Sequence, residues 1–342
     1  MSWKIFVVLS MVVIVGLALT AAYLATSNIQ SQKKNIRLAV EFVDHAACAF
    51  VARRKGLFEA NGLNITAFEC YITGPALSAA IAREDIDAAY MCLVPAICAY
   101  ANARVPIKIV VGIHKYGYAL VVDPNRVNTV KDLEKPDIRI ACTQKGTSNE
   151  VLLRKMIEKY GLNEEIILGK IRYMNPPLAL LSLRMGQIDA AFLPEQYPTM
   201  AEELGFRVLL SAQDIWTNMQ GSVLVVKESL LESQPDIVDK LVKATLQGTK
   251  YIHESPEDAA QIVASELQVA GKQVFPSEVV EVAAKLEITP KIILKSLATR
   301  VICSNEIDVD SIQDVIDYMA KLGYIKWFRA EDMLDLRFTG GK

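Results

Sequence analysis

Short apolar runs alternate with longer helix-like segments along most of the chain. The apolar runs have the length and β-branched content of buried strands, and the segments between them show helical spacing. Strand–helix alternation of this kind predicts α/β folding around parallel sheets. The predicted strands are 36–42, 63–71, 86–90, 107–113, 118–122, 138–142, 170–174, 188–192, 206–210 and 221–226. The predicted helices are 46–59, 149–160 and 310–322, with further helices starting at Pro75, Pro177, Ser255 and Thr289.

One stretch of this pattern occurs twice. Residues 75–90, PALSAAIAREDIDAAY, recur as 177–192, PLALLSLRMGQIDAAF. Both copies open with proline, which suits the first position of a helix, and the aspartate of Ile-Asp-Ala-Ala follows 12 residues later in each. The repeat predicts two supersecondary units of one kind, one in each of two lobes. We expect Asp87 and Asp189 to brace the turns.

Each repeated strand runs into a predicted loop, 91–95 in the first copy and 193–196 in the second. Ligands of open α/β sheets bind just beyond the carboxyl ends of strands. The two loops therefore predict a cleft between the lobes. We interpret 118–122 and 221–226 as the strands that cross from one lobe to the other.

The N-terminus carries an uncharged apolar run at residues 5–25, preceded by Lys4 and followed by a polar tether at 26–34. Its length is near the roughly 20 residues that a membrane-spanning helix needs, so we predict an uncleaved signal anchor. A cleaved secretory signal, with Thr20-Ala21-Ala22 as a weak cleavage site, is the alternative. No cysteine follows the run directly, which argues against a lipoprotein anchor.

Charge and cysteine content exclude several classes of function. The 342 residues, enough for two domains, carry a net charge of −2 and no basic block, so nucleic-acid binding has no support. The six cysteines form no Cys-x-x-Cys pair and read as buried free thiols, with a Cys92–Cys98 disulfide left open. No metal-binding spacing, cofactor motif or catalytic set is present, so we predict a protein that is not an enzyme and has no cofactor.

A series of short motifs resembles one known family. They are 52–58 (ARRKGLF), 61–63 (NGL), 74–76 (GPA), 86–89 (IDAA), 130–133 (VKDL), 146–148 (GTS) and 188–191 (IDAA). In this order, from residue 36 to about 267, the chain resembles substrate-binding proteins of ABC importers. The branch is the one for nitrate, sulfonate, taurine and bicarbonate, which also includes thiamine-pyrimidine binders. Relatives often carry Trp-x-Pro where this chain has Leu-Pro-Glu-Gln at 193–196.

The resemblance implies a type II periplasmic-binding-protein-like fold, in which two lobes, each a mainly parallel sheet flanked by helices, close on a solute. The expected division is an anchor and tether at 1–35, lobe 1 at 36–120 plus 221–342, and lobe 2 at 121–220. Implied partners are a small solute and the permease and ATPase subunits of an importer. A monomer on the extracytoplasmic face of the membrane is expected, or one secreted to the periplasm if the signal is cleaved.

Candidate ligand-binding residues lie at strand ends and strand-to-helix turns, where backbone N–H groups and hydroxyls can meet an anion. Ordinary helix capping explains the same residues equally well at Thr73, Gly74, Thr147 and Ser148. The full set of candidates is Asp44, His45, Thr73, Gly74, Cys92, His114, Thr147, Ser148, Glu195 and Gln196.

These turns predict the capture of a small polar or anionic solute, and the resemblance implies one of the nitrate, sulfonate, taurine or bicarbonate kind. A neutral pyrimidine stacked on Tyr71, Tyr116 or Tyr173 is the alternative ligand. A thiamine-pyrimidine enzyme on the same scaffold is a second alternative, although this sequence lacks the cysteine-rich iron motif of such enzymes. A membrane-tethered sensor without a transporter is the third.

Overall fold

The computed structural model describes residues 34–274 and 287–339. The strands are β1 (Lys34–Glu41), β2 (Leu63–Tyr71), β3 (Ala88–Cys92), β4 (Ile107–Tyr116), β5 (Tyr118–Val122), β6 (Ile140–Cys142), β7 (Ile171–Tyr173), β8 (Ala190–Pro194), β9 (Arg207–Ser211), β10 (Gln220–Lys227) and β11 (Val301–Cys303). The helices are α1 (Ala47–Arg54), α2 (Leu57–Ala60), α3 (Gly74–Ala82), α4 (Leu93–Ala101), α5 (Ser148–Lys159), α6 (Glu164–Leu168), α7 (Pro176–Arg184), α8 (Tyr197–Glu203), α9 (Ala212–Ile215), α10 (Glu228–Ser233), α11 (Pro235–Glu254), α12 (Pro256–Val274), α13 (Pro290–Thr299) and α14 (Val309–Lys321).

The strands form two sheets. The large sheet has the order β11-β4-β10-β3-β1-β2 and the small sheet the order β7-β6-β8-β5-β9. Every residue of β3, β5 and β8 is buried, as expected for strands covered by helices on both faces. The predicted α/β class is confirmed.

The expectation of mainly parallel sheets needs correction, because both sheets are mixed. In the large sheet β10 inserts between β3 and β4 and pairs antiparallel with both, and β11 pairs antiparallel with β4. Only the β1–β2 and β1–β3 pairs of this sheet are parallel. In the small sheet β5 pairs antiparallel with β8 and β9. β5 and β10 are the first strands of their sheets after the chain has passed from one sheet to the other. Parallel neighbours need a crossover connection within one sheet, and neither of these strands follows one.

The chain first crosses between the sheets at Gly117, not along 118–122. All of β5 belongs to the small sheet, so residues 118–120, which were expected in lobe 1, lie in the other sheet. Gly117 adopts φ 84°, and a Cβ there would lie 2.8 Å from His45 Nε2 and 2.9 Å from His114 Cε1. Both its conformation and its surroundings therefore require glycine. The second crossing is the segment 212–219, between β9 and β10.

The repeated stretch forms the predicted helix and strand in both copies, α3 with β3 and α7 with β8. Asp87 receives hydrogen bonds from the backbone and the guanidinium of Arg37, and Asp189 receives the same set from Arg139. Both members of the second pair lie 102 residues after those of the first (37 to 139, 87 to 189). The repeat thus extends to the ion pairs that brace the strands.

Two local predictions were wrong. The predicted loop at 91–95 is the end of β3 followed directly by α4, whose third residue is Pro95. Proline is tolerated there because the first-turn N–H groups of a helix have no partner within the helix. The predicted helix 46–59 is two helices, α1 and α2, separated at Gly56, which has φ 66°.

The predicted signal anchor at residues 5–25 lies outside the described residues. In the part of the chain that is described, no helix is both long and apolar enough to span a membrane. The six cysteines lie apart as free thiols in the described structure, with Cys70 and Cys98 partly exposed and the others buried.

Candidate functional site

A cavity of ≈ 40 Å³, which we call the central cavity, lies between the two sheets. That volume holds only about three water-sized groups. Residues at the carboxyl ends of strands from both sheets line the cavity, and this is where ligands bind in open α/β sheets. The lining residues are Glu41, Val43, Ile72, Thr73, Gly74, Cys92, Pro95, Tyr118, Thr143, Thr147, Ser148, Asn149, Pro176 and Pro194.

Four helices begin at the cavity: α3 at Gly74, α4 after Cys92, α5 at Ser148 and α7 at Pro176. Their unpaired N–H groups and dipoles favour negative charge at this place. The walls approach closely, because a Cβ on Gly74 would lie 2.4 Å from Pro95 Cγ and 2.7 Å from Glu41 Oε1. Glycine at position 74 therefore keeps the cavity open.

An acidic side chain of the protein itself lies at these helix starts. Glu41 ends β1, and its carboxylate accepts hydrogen bonds from the Cys92 amide (3.0 Å) and the Cys92 thiol (2.8 Å). Burial raises the pKa of Glu41 above its ordinary value. Among the described residues that line the cavity, none is a lysine or arginine, so Glu41 has no cationic partner there.

The Thr143 and Thr147 hydroxyl groups already donate hydrogen bonds within the protein. Thr147 Oγ1 donates to the Gln144 carbonyl at 2.7 Å, which leaves Thr143 as the donor in the 2.6 Å bond between the two threonine hydroxyls. Next to them, Asn149 Oδ1 is buried and has no hydrogen-bond partner among the described residues, whereas the Ser148 hydroxyl interacts with the Tyr118 hydroxyl. Buried polar atoms are nearly always paired, so Asn149 Oδ1 is an exception at this place.

Two histidines lie behind Cys92. His45 Nε2 donates to the Gly117 carbonyl at 2.8 Å, so its unprotonated Nδ1 faces Cys92 Sγ at 3.6 Å. Burial lowers the pKa of His45 to about 4. Burial, with the nearby His45, also lowers the pKa of His114, whose ring lies 4.3 Å from that of His45 between centroids. Both imidazoles are therefore neutral near pH 7.

A buried charge cluster lies beside the histidines and joins the two sheets. Arg300, which precedes β11 of the large sheet, contacts Glu195, Thr199 and Glu202, which follow β8 of the small sheet. The second link is the Asp44 amide, which donates to Gln196 Oε1 at 2.9 Å. Burial and the neighbouring Glu195 carboxylate raise the pKa of Asp44 well above its ordinary value.

The structure brings the ten predicted site residues into one region but divides them into two groups. Five line the central cavity and five lie in the adjacent buried polar cluster, so a ligand-binding role remains a prediction for all ten. The lining group is Thr73, Gly74, Cys92, Thr147 and Ser148. The buried group is Asp44, His45, His114, Glu195 and Gln196.

Sequence reasoning missed Glu41, Thr143 and Asn149. Glu41 ends a strand that was predicted to continue to Phe42, and Thr143 directly follows a predicted strand. Ligands of open α/β sheets bind just beyond the carboxyl ends of strands. Applying that rule at positions 41 and 143 would have identified both residues as candidates. The sequence pattern predicts that a helix begins at Asn149, and no sequence signal marks its unpaired oxygen.

The geometry does not activate Cys92 as a nucleophile. Burial and the adjacent Glu41 carboxylate raise the pKa of the Cys92 thiol well above its ordinary value, whereas reactive cysteines need a lowered one. Within residues 34–274 and 287–339, no three His, Cys, Asp or Glu side chains are placed to hold a metal ion.

Solved structures with the same fold include several binding proteins. The alkanesulfonate-binding protein SsuA from Xanthomonas axonopodis pv. citri, bound to MOPS, has a TM-score of 0.71 at 18% identity over 88% of this chain and 98% of its own. The periplasmic aliphatic sulphonate binding protein SsuA from Escherichia coli has 0.70 at 18% over 88% and 97%. The periplasmic nitrate-binding protein NrtA from Synechocystis PCC 6803 has 0.67 at 13% over 88% and 86%.

These likenesses show that the chain has the periplasmic-binding-protein fold and confirm the resemblance read from its motifs. No curated protein sequence matches the chain. The model of the NMT1-like family matches residues 30–267, which is more than half of the 342 residues. The chain therefore belongs to the NMT1-like family.

Proposed function

We propose that the protein is the extracytoplasmic solute-binding component of an ABC importer and delivers a small polar solute to a membrane permease. The observation that carries this proposal is the central cavity, which is lined by strand ends and helix starts of both sheets. A solute held there contacts both halves of the molecule. Its binding energy can therefore favour a closed arrangement over an open one.

The two crossings supply the hinges for such a closure. The first is Gly117, and the second is the segment 212–219. We propose a lobe 1 built on the large sheet and a lobe 2 built on the small sheet, with the first boundary at Gly117. Rotation about a few connecting residues is how clamp-like binding proteins open and close. The Arg300 and Gln196 contacts between the sheets would have to part on opening.

Binding without chemical change is favoured over catalysis on the same scaffold. The Cys92 thiol has a raised pKa, and the neutral His45 beside it is a weak base because its pKa is about 4. Neither supplies an activated nucleophile or a general base near pH 7. We propose that residues 5–25 hold the protein outside the cytoplasm, at the membrane that contains the permease.

Uptake by cells lacking this gene tests the role in transport. We expect loss of import of one solute from a panel of nitrate, alkanesulfonates, bicarbonate, guanidinium compounds and aminopyrimidines. Wild-type protein should restore uptake, and Gly74→Val should not, because its side chain would fill the cavity. Ala76→Val, on the exposed face of the same helix, is the matched control and should restore it. Unchanged uptake of every panel solute in the deletion strain would favour a sensor over a transporter component.

A further inference from the structure

An open depression of ≈ 420 Å³ on the surface holds the most exposed large apolar side chain of the described residues. That side chain is Trp327, which is 60% exposed. Its indole N–H donates to Asp317 Oδ1 at 2.7 Å, so the ring is held in this exposed position. The rings of Tyr100 and Phe328, 5.0 Å apart between centroids, line the depression beside it. An exposed aromatic surface that is fixed in place marks an interaction site.

The charged side chains around this depression are basic in balance. Arg104 and Lys326 border it, and neither forms an ion pair with any described residue. Glu228, the acidic residue among the described lining residues, pairs with Lys108 at 3.3 Å. Aromatic rings beside unpaired lysine and arginine are the combination that suits the surface of an anionic membrane. We call this surface the aromatic edge, and its members are Tyr100, Arg104, Lys326, Trp327 and Phe328.

The aromatic edge lies on the side of the large sheet where the chain enters that sheet. Pro106 precedes β4, and its carbonyl accepts from the amide of Glu228, which follows β10, at 2.8 Å. β1 starts on this side too, because β1 is parallel to β3, and β3 and β4 are both antiparallel to β10. Three strand spacings of about 4.8 Å separate β1 from β4, so the two strands lie only about 14 Å apart. The central cavity lies on the opposite side, where β1 and β3 end.

The stretch between the proposed anchor and the large sheet is short. Residues 26–33 separate the apolar run 5–25 from Lys34, where β1 begins. These eight residues span at most about 28 Å, even if fully extended. With 5–25 in the membrane, Lys34 cannot lie farther than this from the lipid. The side of the sheet that carries the aromatic edge is therefore kept close to the membrane surface.

We propose that the aromatic edge rests on the anionic lipid surface of the membrane in which residues 5–25 are anchored. Trp327 and Phe328 then lie among the head groups, and Arg104 and Lys326 contact lipid phosphates. In this position the central cavity faces away from the membrane, toward solutes outside, and delivery to a permease requires the aromatic edge to leave the lipid. This inference rests on the proposed function, because it depends on the proposed anchor.

Quenching by brominated lipids tests the contact in the full chain. The protein is reconstituted into vesicles of phosphatidylcholine with about 30% phosphatidylglycerol, an anionic lipid. Trp3 and Trp216 are present in both the wild type and Trp327→Phe, so the difference in emission between the two proteins reports Trp327. On lipids with brominated acyl chains this difference should fall by about half or more, relative to unbrominated lipids with the same head groups.

Removing two cations tests the role of lipid charge. Arg104→Gln with Lys326→Gln should shift the equilibrium between bound and free aromatic edge about 25-fold toward free, because each cation at an anionic surface contributes about fivefold. The matched control is Lys131→Gln with Lys135→Gln, which removes the same charge from two exposed lysines before β6, in the other half of the molecule. It should leave the quenching of Trp327 unchanged. Vesicles of phosphatidylcholine alone should reproduce the loss seen with the first pair.

Flotation with the vesicles separates the inference from the proposed anchor. A chain that floats with the vesicles but shows equal Trp327 emission on brominated and unbrominated lipid would overturn the inference and leave the anchor standing. Quenching that is equal with and without phosphatidylglycerol would also overturn it. Protection of Trp327 from the soluble quencher iodide only at a high ratio of protein to lipid would overturn it in favour of a second copy of the chain. A chain that stays free of the vesicles would count against both the anchor and the inference.

Discussion

Replacing Arg300 by methionine should lower the free energy of unfolding by about 3–5 kcal/mol, because it leaves a buried carboxylate without its cation. The Glu195 side chain is fully buried and that of Arg300 is 10% exposed. Arg300 also donates to Thr199 Oγ1 at 2.7 Å and to Glu202 Oε2 at 2.8 Å. Urea unfolding of the purified variant measures the loss.

Arg329→Met is the matched control for Arg300→Met. Arg329 pairs with Glu331 at 3.2 Å, but its side chain is 66% exposed. Exposed pairs contribute little, so we expect a change within about 0.5 kcal/mol. The double variant Arg300→Met with Glu195→Gln should recover part of the loss, since no buried charge then remains unpaired. Equal effects of the Arg300 and Arg329 substitutions would show that the cluster does not join the sheets as described.

Replacing His45 by glutamine should remove a large part of the acid sensitivity of the fold. The pKa of His45 falls from 6.5 to about 4 on folding because the ring is buried. The unfolded chain therefore binds a proton between these values that the folded chain does not. The stabilisation is fully present above pH 6.5 and is lost as pH falls to about 4, a loss of roughly 3 kcal/mol.

The test compares the free energies of unfolding of wild type and His45→Gln at several pH values from 7 to 4. Glu41 and Asp44 have raised pKa values and oppose the trend in both proteins, and the buried His114 adds to it in both. The difference between the two proteins therefore reports His45 together with its effect on the pKa of His114. The advantage of the wild type should shrink by about 3 kcal/mol across this range. A difference that stays constant with pH would contradict the assignment of a buried, neutral imidazole.

Most helices and strands could be predicted because their signals are local. Apolar runs and proline or glycine boundaries place β1, β2, α3 and α7 within a few residues of where the structure has them. The insertion of β10 between β3 and β4 could not be predicted in this way. This insertion pairs residues more than 100 positions apart, and the sequence of β10 does not show which strands it will pair with.

For the site, the sequence could predict only that candidate residues lie at strand ends and strand-to-helix turns. Five residues chosen in this way line one cavity in the structure: Thr73, Gly74, Cys92, Thr147 and Ser148. Which of these groups can still donate a hydrogen bond depends on partners that the sequence does not reveal, such as the bond from Thr147 to the Gln144 carbonyl.

The same limit applies to the buried charges. Arg300 begins no motif and lies 105 residues after Glu195, so its role in joining the sheets appears only in three dimensions. Glu41 reads in the sequence as one polar residue at the end of an apolar strand. Its importance follows from burial beside Cys92 and from the lack of a lysine or arginine among the described cavity residues.

Recovery of a bound small molecule tests the central claim most directly. The purified protein is mixed with a low-mass extract of the host cells and separated from free compounds. The protein is then denatured, and the masses and amounts of the released compounds are measured by mass spectrometry. The account predicts one compound near one equivalent per chain, unchanged in mass, on the wild type and Ala76→Val. Folded Gly74→Val should carry none. Equal recovery on Gly74→Val, or no stoichiometric compound on the wild type, would contradict a solute-binding central cavity.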